Sequence, residues 1–156
     1  MINFKKGPAL SLGQSDKVAK LAAGQAIEAG HVVRVDATSG EVYLGASGTP
    51  KDDYLGFAIN NATDGDVISS GKIGVYNLDG ASVVETDKAA NISAANYAIG
   101  QPLKAIQDTG NVALGDPASD RIIGYVEGVR NLPSVQVVNG VKIQGTRALL
   151  GIKLTV

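Results

Sequence analysis

The chain has 156 residues, a formal net charge of −1 and no cysteine. That length suits one domain or two fused half-domains, and the near-neutral balance offers no basic surface for phosphates, so nucleic-acid binding is not expected. Without thiols there is neither a disulfide framework nor a thiolate site, and no apolar run reaches the roughly 18 residues of a membrane span.

Hydrophobic residues make up 44% of the chain but aromatics only 4%, with no tryptophan, so the core must be built from Val, Ile, Leu and Ala. Twenty glycines stand between short valine-rich runs. Glycine weakens helices and serves tight turns, so this pattern predicts an all-β chain of strands and turns.

Residues 1–20 carry Lys5, Lys6, Lys17 and Lys20 against Asp16, whereas the remainder is net acidic. Gly7-Pro8 and Gly13 interrupt any period, which predicts an extended N-terminal arm ahead of a single β domain at 21–156. The arm either folds back on its own domain or is held by a neighbouring subunit. Phe4, Lys5, Lys6, Leu10 and Leu12 are its candidate partner-binding residues: apolar anchors with no strand register to bury them, beside local positive charge. The start MINFKKGPAL lacks the apolar run of a signal peptide.

From His31 to Asp36 the chain reads as a strand, Thr38-Ser39-Gly40 as a turn, and Glu41 to Leu44 as the returning strand of a hairpin. Residues 45–53 form a polar loop. Tyr54 to Ile59, Asp66 to Ser69 and Lys72 to Tyr76 are further strands, with a turn at Asp64-Gly65. Shifting the register by 70 residues places Gly30 on Gly100, Gly40 on Gly110, Val42 on Val112 and Leu44 on Leu114. A two-residue deletion then sets Leu55-Gly56-Phe57 on Ile123-Gly124-Tyr125. The chain is therefore expected to contain two similar halves, about 24–78 and 94–154. Between them Ser82 to Glu85 predicts a strand, and Lys88-Ala89-Ala90 and Ser93-Ala94-Ala95 predict single helical turns. Val141 to Gln144 and Ala148 to Leu154 predict closing strands.

Catalytic and metal chemistry finds little support in these residues. His31 is the one histidine, so neither a histidine pair nor a two-histidine–carboxylate metal site can form within the chain, and no Gly-x-Ser-x-Gly elbow marks a nucleophile. The run from Gly65 to Lys72 is glycine-bounded like a phosphate loop, but Ile73 stands where Ser or Thr should hold magnesium. Asp52-Asp53 and Asp64-Gly65-Asp66 read as solvated turn residues, because Asn77 occupies the twelfth position where a calcium loop needs glutamate. Asn61-Ala62-Thr63 and Asn91-Ile92-Ser93 match the glycosylation pattern by chance. Tyr54 and Tyr125 flank Gly56 and Gly124, which suggests core or interface packing. No catalytic residue, metal ligand or cofactor is expected.

The stretch from Ala29-Gly30-His31-Val32-Val33-Arg34-Val35-Asp36 through Leu55-Gly56-Phe57-Ala58, Gly65-Asp66 and Gly74-Val75-Tyr76 resembles the decoration, or cement, proteins of tailed-bacteriophage heads. The likeness covers about 24–78 and extends weakly to 154 through the repeat. It implies a β-barrel or β-tulip-like domain with no enzymatic activity, sitting on the capsid exterior after synthesis in the host cytoplasm. It further implies the major capsid protein as partner, with self-association as a trimer or dimer. The alternatives are a phage fibre, spike or base-plate subunit, and a carbohydrate-binding β module.

Overall fold

The computed structural model describes residues 2–6, 17–45, 54–66, 70–78 and 80–155. Thirteen strands occur among them, and no helix: β1 (Ile2–Lys6), β2 (Lys17–Lys20), β3 (Ala26–Ile27), β4 (Val32–Val35), β5 (Val42–Leu44), β6 (Tyr54–Ala58), β7 (Ala62–Thr63), β8 (Lys72–Asn77), β9 (Val83–Thr86), β10 (Pro102–Ala105), β11 (Val112–Leu114), β12 (Ile122–Val138) and β13 (Val141–Leu154). One sheet runs β2-β8-β6-β4-β5, a second runs β1-β9-β13-β12-β10-β11, and β3 pairs with β7 as a short ribbon. All the pairings are antiparallel. The chain is all-β. Leu21, just after β2, makes a single parallel bridge to Val42 of β5, and Ala89, shortly after β9, makes one to Val112 of β11.

The two large sheets share one plan over five strands, β1 of the six-stranded sheet having no counterpart. In the first, Val33, Arg34 and Val35 face Leu44, Tyr43 and Val42. In the second, Leu103, Lys104 and Ala105 face Leu114, Ala113 and Val112, the same register 70 residues later. Their turns match as well: the Gly40 N–H reaches the Asp36 carbonyl at 2.8 Å and the Gly110 N–H reaches the Ile106 carbonyl at 3.2 Å. The Ser39 hydroxyl accepts from the Glu41 N–H at 3.2 Å and the Thr109 hydroxyl from the Asn111 N–H at 3.4 Å. Gly56, Phe57 and Ala58 face Asn77, Tyr76 and Val75, while Gly124, Tyr125 and Val126 face Leu154, Lys153 and Ile152. A Cβ on Gly56 would lie 2.5 Å from the Tyr76 carbonyl oxygen, and one on Gly124 2.5 Å from that of Lys153. Only glycine lets the neighbouring strand come so close. The structural units run over 17–78 and 83–155. They begin with β2 and β9, which hold matching places beside β8 and β13, with β1 added beyond β9.

Burial follows the strand alternation. The first unit buries Val33, Val35, Val42, Ile73 and Val75 among themselves with Leu21 and Ile27. Its other sheet face presents Val32, Leu55, Phe57 and Tyr76 to a larger core that contains Leu103, Val112, Ile123, Leu150 and Ile152 of the second unit. The units meet backbone to backbone: the Val32 N–H donates to the Gly110 carbonyl at 2.7 Å. In the second unit the places of Val32, Phe57 and Tyr76 are held by Pro102, Tyr125 and Lys153, and Tyr125 and Lys153 are exposed.

Two expectations need correcting in detail. Lys88 to Ala90 makes no helical turn; Ala89 is held in its bridge to Val112. The single turn expected at Ser93-Ala94-Ala95 is present, with the Tyr97 N–H on the Ser93 carbonyl at 2.9 Å. The two closing strands predicted near the C-terminus are one continuous strand, β13, because β12 pairs with it along its whole length. The expected strand at Asp66 to Ser69 lies mostly outside the described residues, as does the loop at 45–53 with its Asp52-Asp53.

Gly110 and Gly40 provide a matched test of the junction. Both hold positive φ, +64° and +71°. A Cβ on Gly110 would sit 2.5 Å from the Val32 carbonyl oxygen, whereas one on Gly40 meets nothing within 4 Å. Gly40→Ala should therefore carry only the left-handed backbone penalty of about 1–2 kcal/mol. Gly110→Ala should lower stability by about 2 kcal/mol more, within the range of severe core substitutions. Urea denaturation of the two variants decides it, and equal losses would contradict the junction described.

Candidate functional site

The most unusual surface lies at the end of the long hairpin. Strands β12 and β13 pair without interruption from Gly128 and Gly151 to Val138 and Val141. Only Ile122 to Tyr125 and Leu150 to Lys153 also belong to the sheet through β10 and β9. The rest is a two-stranded ribbon that extends roughly 25 Å beyond Arg130, at about 3.3 Å per residue. Its turn is Asn139-Gly140, with φ of 51° and 79°. Two successive positive values are what a two-residue type I′ hairpin requires, and Asn-Gly is its preferred sequence.

The ribbon departs from the sheet at a bulge. The register slips between Val126 and Gly128, leaving Glu127 as the extra residue, and such bulges bend and re-aim a strand. Just beyond it, Arg130 reaches across to Glu85 of β9. Its Nε lies 3.1 Å from Oε1 while the terminal nitrogen engages the other oxygen. The Glu85 side chain is almost wholly buried and Arg130 is half exposed. The pair raises the guanidinium pKa, chiefly through the hydrogen bond. Arg147 adds a contact to Asp87 at 3.4 Å. The base of the hairpin is thus tied to the body by two charged contacts.

Past that base the side chains lose cover. Val135, Val137, Val138, Val141 and Ile143 are 47–65% exposed. Val135 and Val137 share a face with Gln144 and Lys142, while Val138, Val141 and Ile143 share the other with Gln136. Both faces are therefore apolar. An open hollow of about 410 Å³ lies along the ribbon, lined by Leu132, Pro133, Val135, Thr146 and Arg147 among others. A protein surface normally shows such residues singly, and a cluster marks a contact.

The residues singled out in the sequence lie elsewhere. Phe4, Lys5 and Lys6 belong to β1, an outer strand of the six-stranded sheet, whose backbone pairs with Val83–Thr86 of the same chain. Lys17–Lys20 pairs with β8. These parts of the expected arm fold back on their own domain. Leu10 and Leu12 lie outside the described residues. Tyr125, expected in the core or at an interface, is 42% exposed and so lies outside the core. The hairpin has its own local signal: Val137-Val138-Asn139-Gly140-Val141 sets Asn-Gly between apolar residues, the strongest short hairpin pattern.

His31 sits half-buried at the junction of the two units. Its Nδ1 accepts from the Glu28 N–H at 3.3 Å, and Glu28 in turn is ion-paired to Lys88. Asp64 accepts from the Gly24 N–H at 2.9 Å, a turn contact. No three His, Asp or Glu side chains gather as a metal site would need, among the described residues. No family model matches the chain, and neither a curated protein nor a solved structure matches it.

Burial, helped by Lys88, holds the His31 imidazole below its ordinary value. The unfolded chain therefore takes up a proton near pH 6.5 while the folded one resists it. A depressed pKa of this kind leaves full stability above about 6.5 and removes it as the pH falls. His31→Gln should flatten the loss of thermal stability between pH 7 and 5.5. An unchanged pH profile in the variant would contradict the assignment.

Proposed function

We propose that this chain is a non-catalytic structural subunit that cements neighbouring protein subunits on the outside of a tailed-phage head, with the major capsid protein as its partner. The observation that carries the proposal is the β12–β13 hairpin, an apolar ribbon held out from a firmly packed body. A cementing subunit needs a stiff body and an element that engages its neighbours, and strands with open edges can pair with another chain. The glycine and valine spacing of 24–78 supports the phage assignment by resemblance. Residence on the virion exterior and self-association as a dimer or trimer belong to the same proposal.

The test uses expanded heads of the phage that encodes the chain, prepared without it. Purified protein should co-sediment with the heads, saturate at a fixed number of copies per head and raise their disruption temperature. It should not be retained on a panel of immobilised glycans. Retention on glycans without binding to heads would favour a carbohydrate-binding module instead, and failure on both would refute the cementing role.

A further inference from the structure

All fifteen acidic side chains of the protein stand in residues 1–127; from 128 to 156 the charged side chains are Arg130, Lys142, Arg147 and Lys153. The protein thus divides into an acidic body and a hairpin with no carboxylate side chain. Arg130 and Arg147 already meet Glu85 and Asp87 at the hairpin's base. That leaves Lys142, exposed and four residues before Thr146, as the cation nearest the tip. Around it stand the exposed valines and Ile143 on both faces.

These features restrict what can cover the ribbon. A flat apolar patch would bury one face and leave the other in water. An occupant that lowers the free energy of both faces must enclose the ribbon or take it into a groove. A symmetric contact between the hairpins of two copies would bring together two ribbons of like charge with no carboxylate between them, which is unfavourable. A groove with acidic groups at its rim has the complementary sign. Resting on the cementing role proposed above, we infer that residues 132–146 insert into an apolar groove of the major capsid protein, where carboxylates at the rim face Lys142. The outer backbone edges of the ribbon add strand pairing inside the groove.

The ladder itself suggests the decisive variant. Removing 133–138 and 141–146 brings the Asn139-Gly140 turn onto the Leu132–Arg147 pair, six register steps down. Hydrogen-bonded and non-bonded pairs alternate along an antiparallel ladder, so an even number of steps preserves the geometry the turn needs. Arg130 and Arg147 stay in place. This shortened chain should keep its circular dichroism and melting temperature, while its affinity for heads lacking the protein falls about 100-fold or more, as expected for loss of an interface centre. Val137→Ser and Ile143→Ser, one from each face, should each weaken binding about tenfold. Lys142→Glu should slow association at low salt, and the difference from wild type should shrink at high salt.

If the wild-type chain binds heads and the shortened chain binds equally well, the hairpin is not the docking element, though the cementing role stands. If the wild-type chain fails to bind heads, the cementing role itself is wrong and the inferred partner with it. If the shortening abolishes self-association in sedimentation equilibrium and leaves head binding intact, the occupant is a second copy and the inference is overturned. Should the shortened chain misfold, the two serine variants decide the matter, because both positions are exposed and tolerate the change.

Discussion

The architecture depends on one close approach of backbone. The Val32 N–H donates to the Gly110 carbonyl, and its own carbonyl accepts from the Gly45 N–H at 2.9 Å. A side chain at residue 110 would occupy the space of that Val32 oxygen. This contact presses the turn of the second unit against a sheet face of the first. Phe57 and Tyr76 are covered there, and Tyr76 satisfies its hydroxyl on Ser82 at 2.6 Å. The Thr86 hydroxyl donates to the Gly30 carbonyl at 2.8 Å across the same junction. Two small sheets, each too thin to bury much alone, become one body with a shared core. The matching face of the second unit bears Pro102, Tyr125 and Lys153. That face lacks the apolar residues with which the first unit meets the second.

Within that shared plan the units differ most in the connection between their central strands. In the first unit that connection contains β7, which pairs with β3. In the second it runs over 127–148 and continues the ladder outward. The bulge at Glu127 sets its direction, and the Arg130–Glu85 bond fixes its base. An isolated two-stranded ribbon is marginal in water. The body supplies the anchorage that the ribbon's own side chains do not, and those side chains are left for a partner. Rigidity sits in the duplicated part, and the capacity for contact in the part that departs from it.

Local turn chemistry explains what could be read from sequence. Gly40 and Gly110 close matching turns because each must reverse the chain at positive φ, and Ser39 and Thr109 support them in the same way. Valine alternation in 32–35 and 72–77 was equally legible, since one-sided burial imposes a period of two. The first strand was not legible. Ile2–Lys6 is short and bulged between Phe4 and Lys6, and its place beside β9 is decided by a partner some eighty residues away. The hairpin escaped for a different reason. The internal repeat ends where the two connections diverge, and Pro133 argues locally against a strand although the ribbon's open edges tolerate it. Exposure is also a tertiary property: nothing in the spelling of Val135 or Val137 separates a solvent-facing valine from one in a core.

Amide hydrogen exchange on the full chain, free and bound to heads, tests most directly whether a firm body carries a contact-making ribbon. In the free protein, amides in β4, β6, β8 and Leu149–Leu154 should exchange slowly, and those of 132–146 fast, since a ribbon open on both edges has few buried hydrogen bonds. On binding, 132–146 should gain strong protection while the body changes little. Protection appearing at another surface, with 132–146 exchanging as fast as before, would contradict the account.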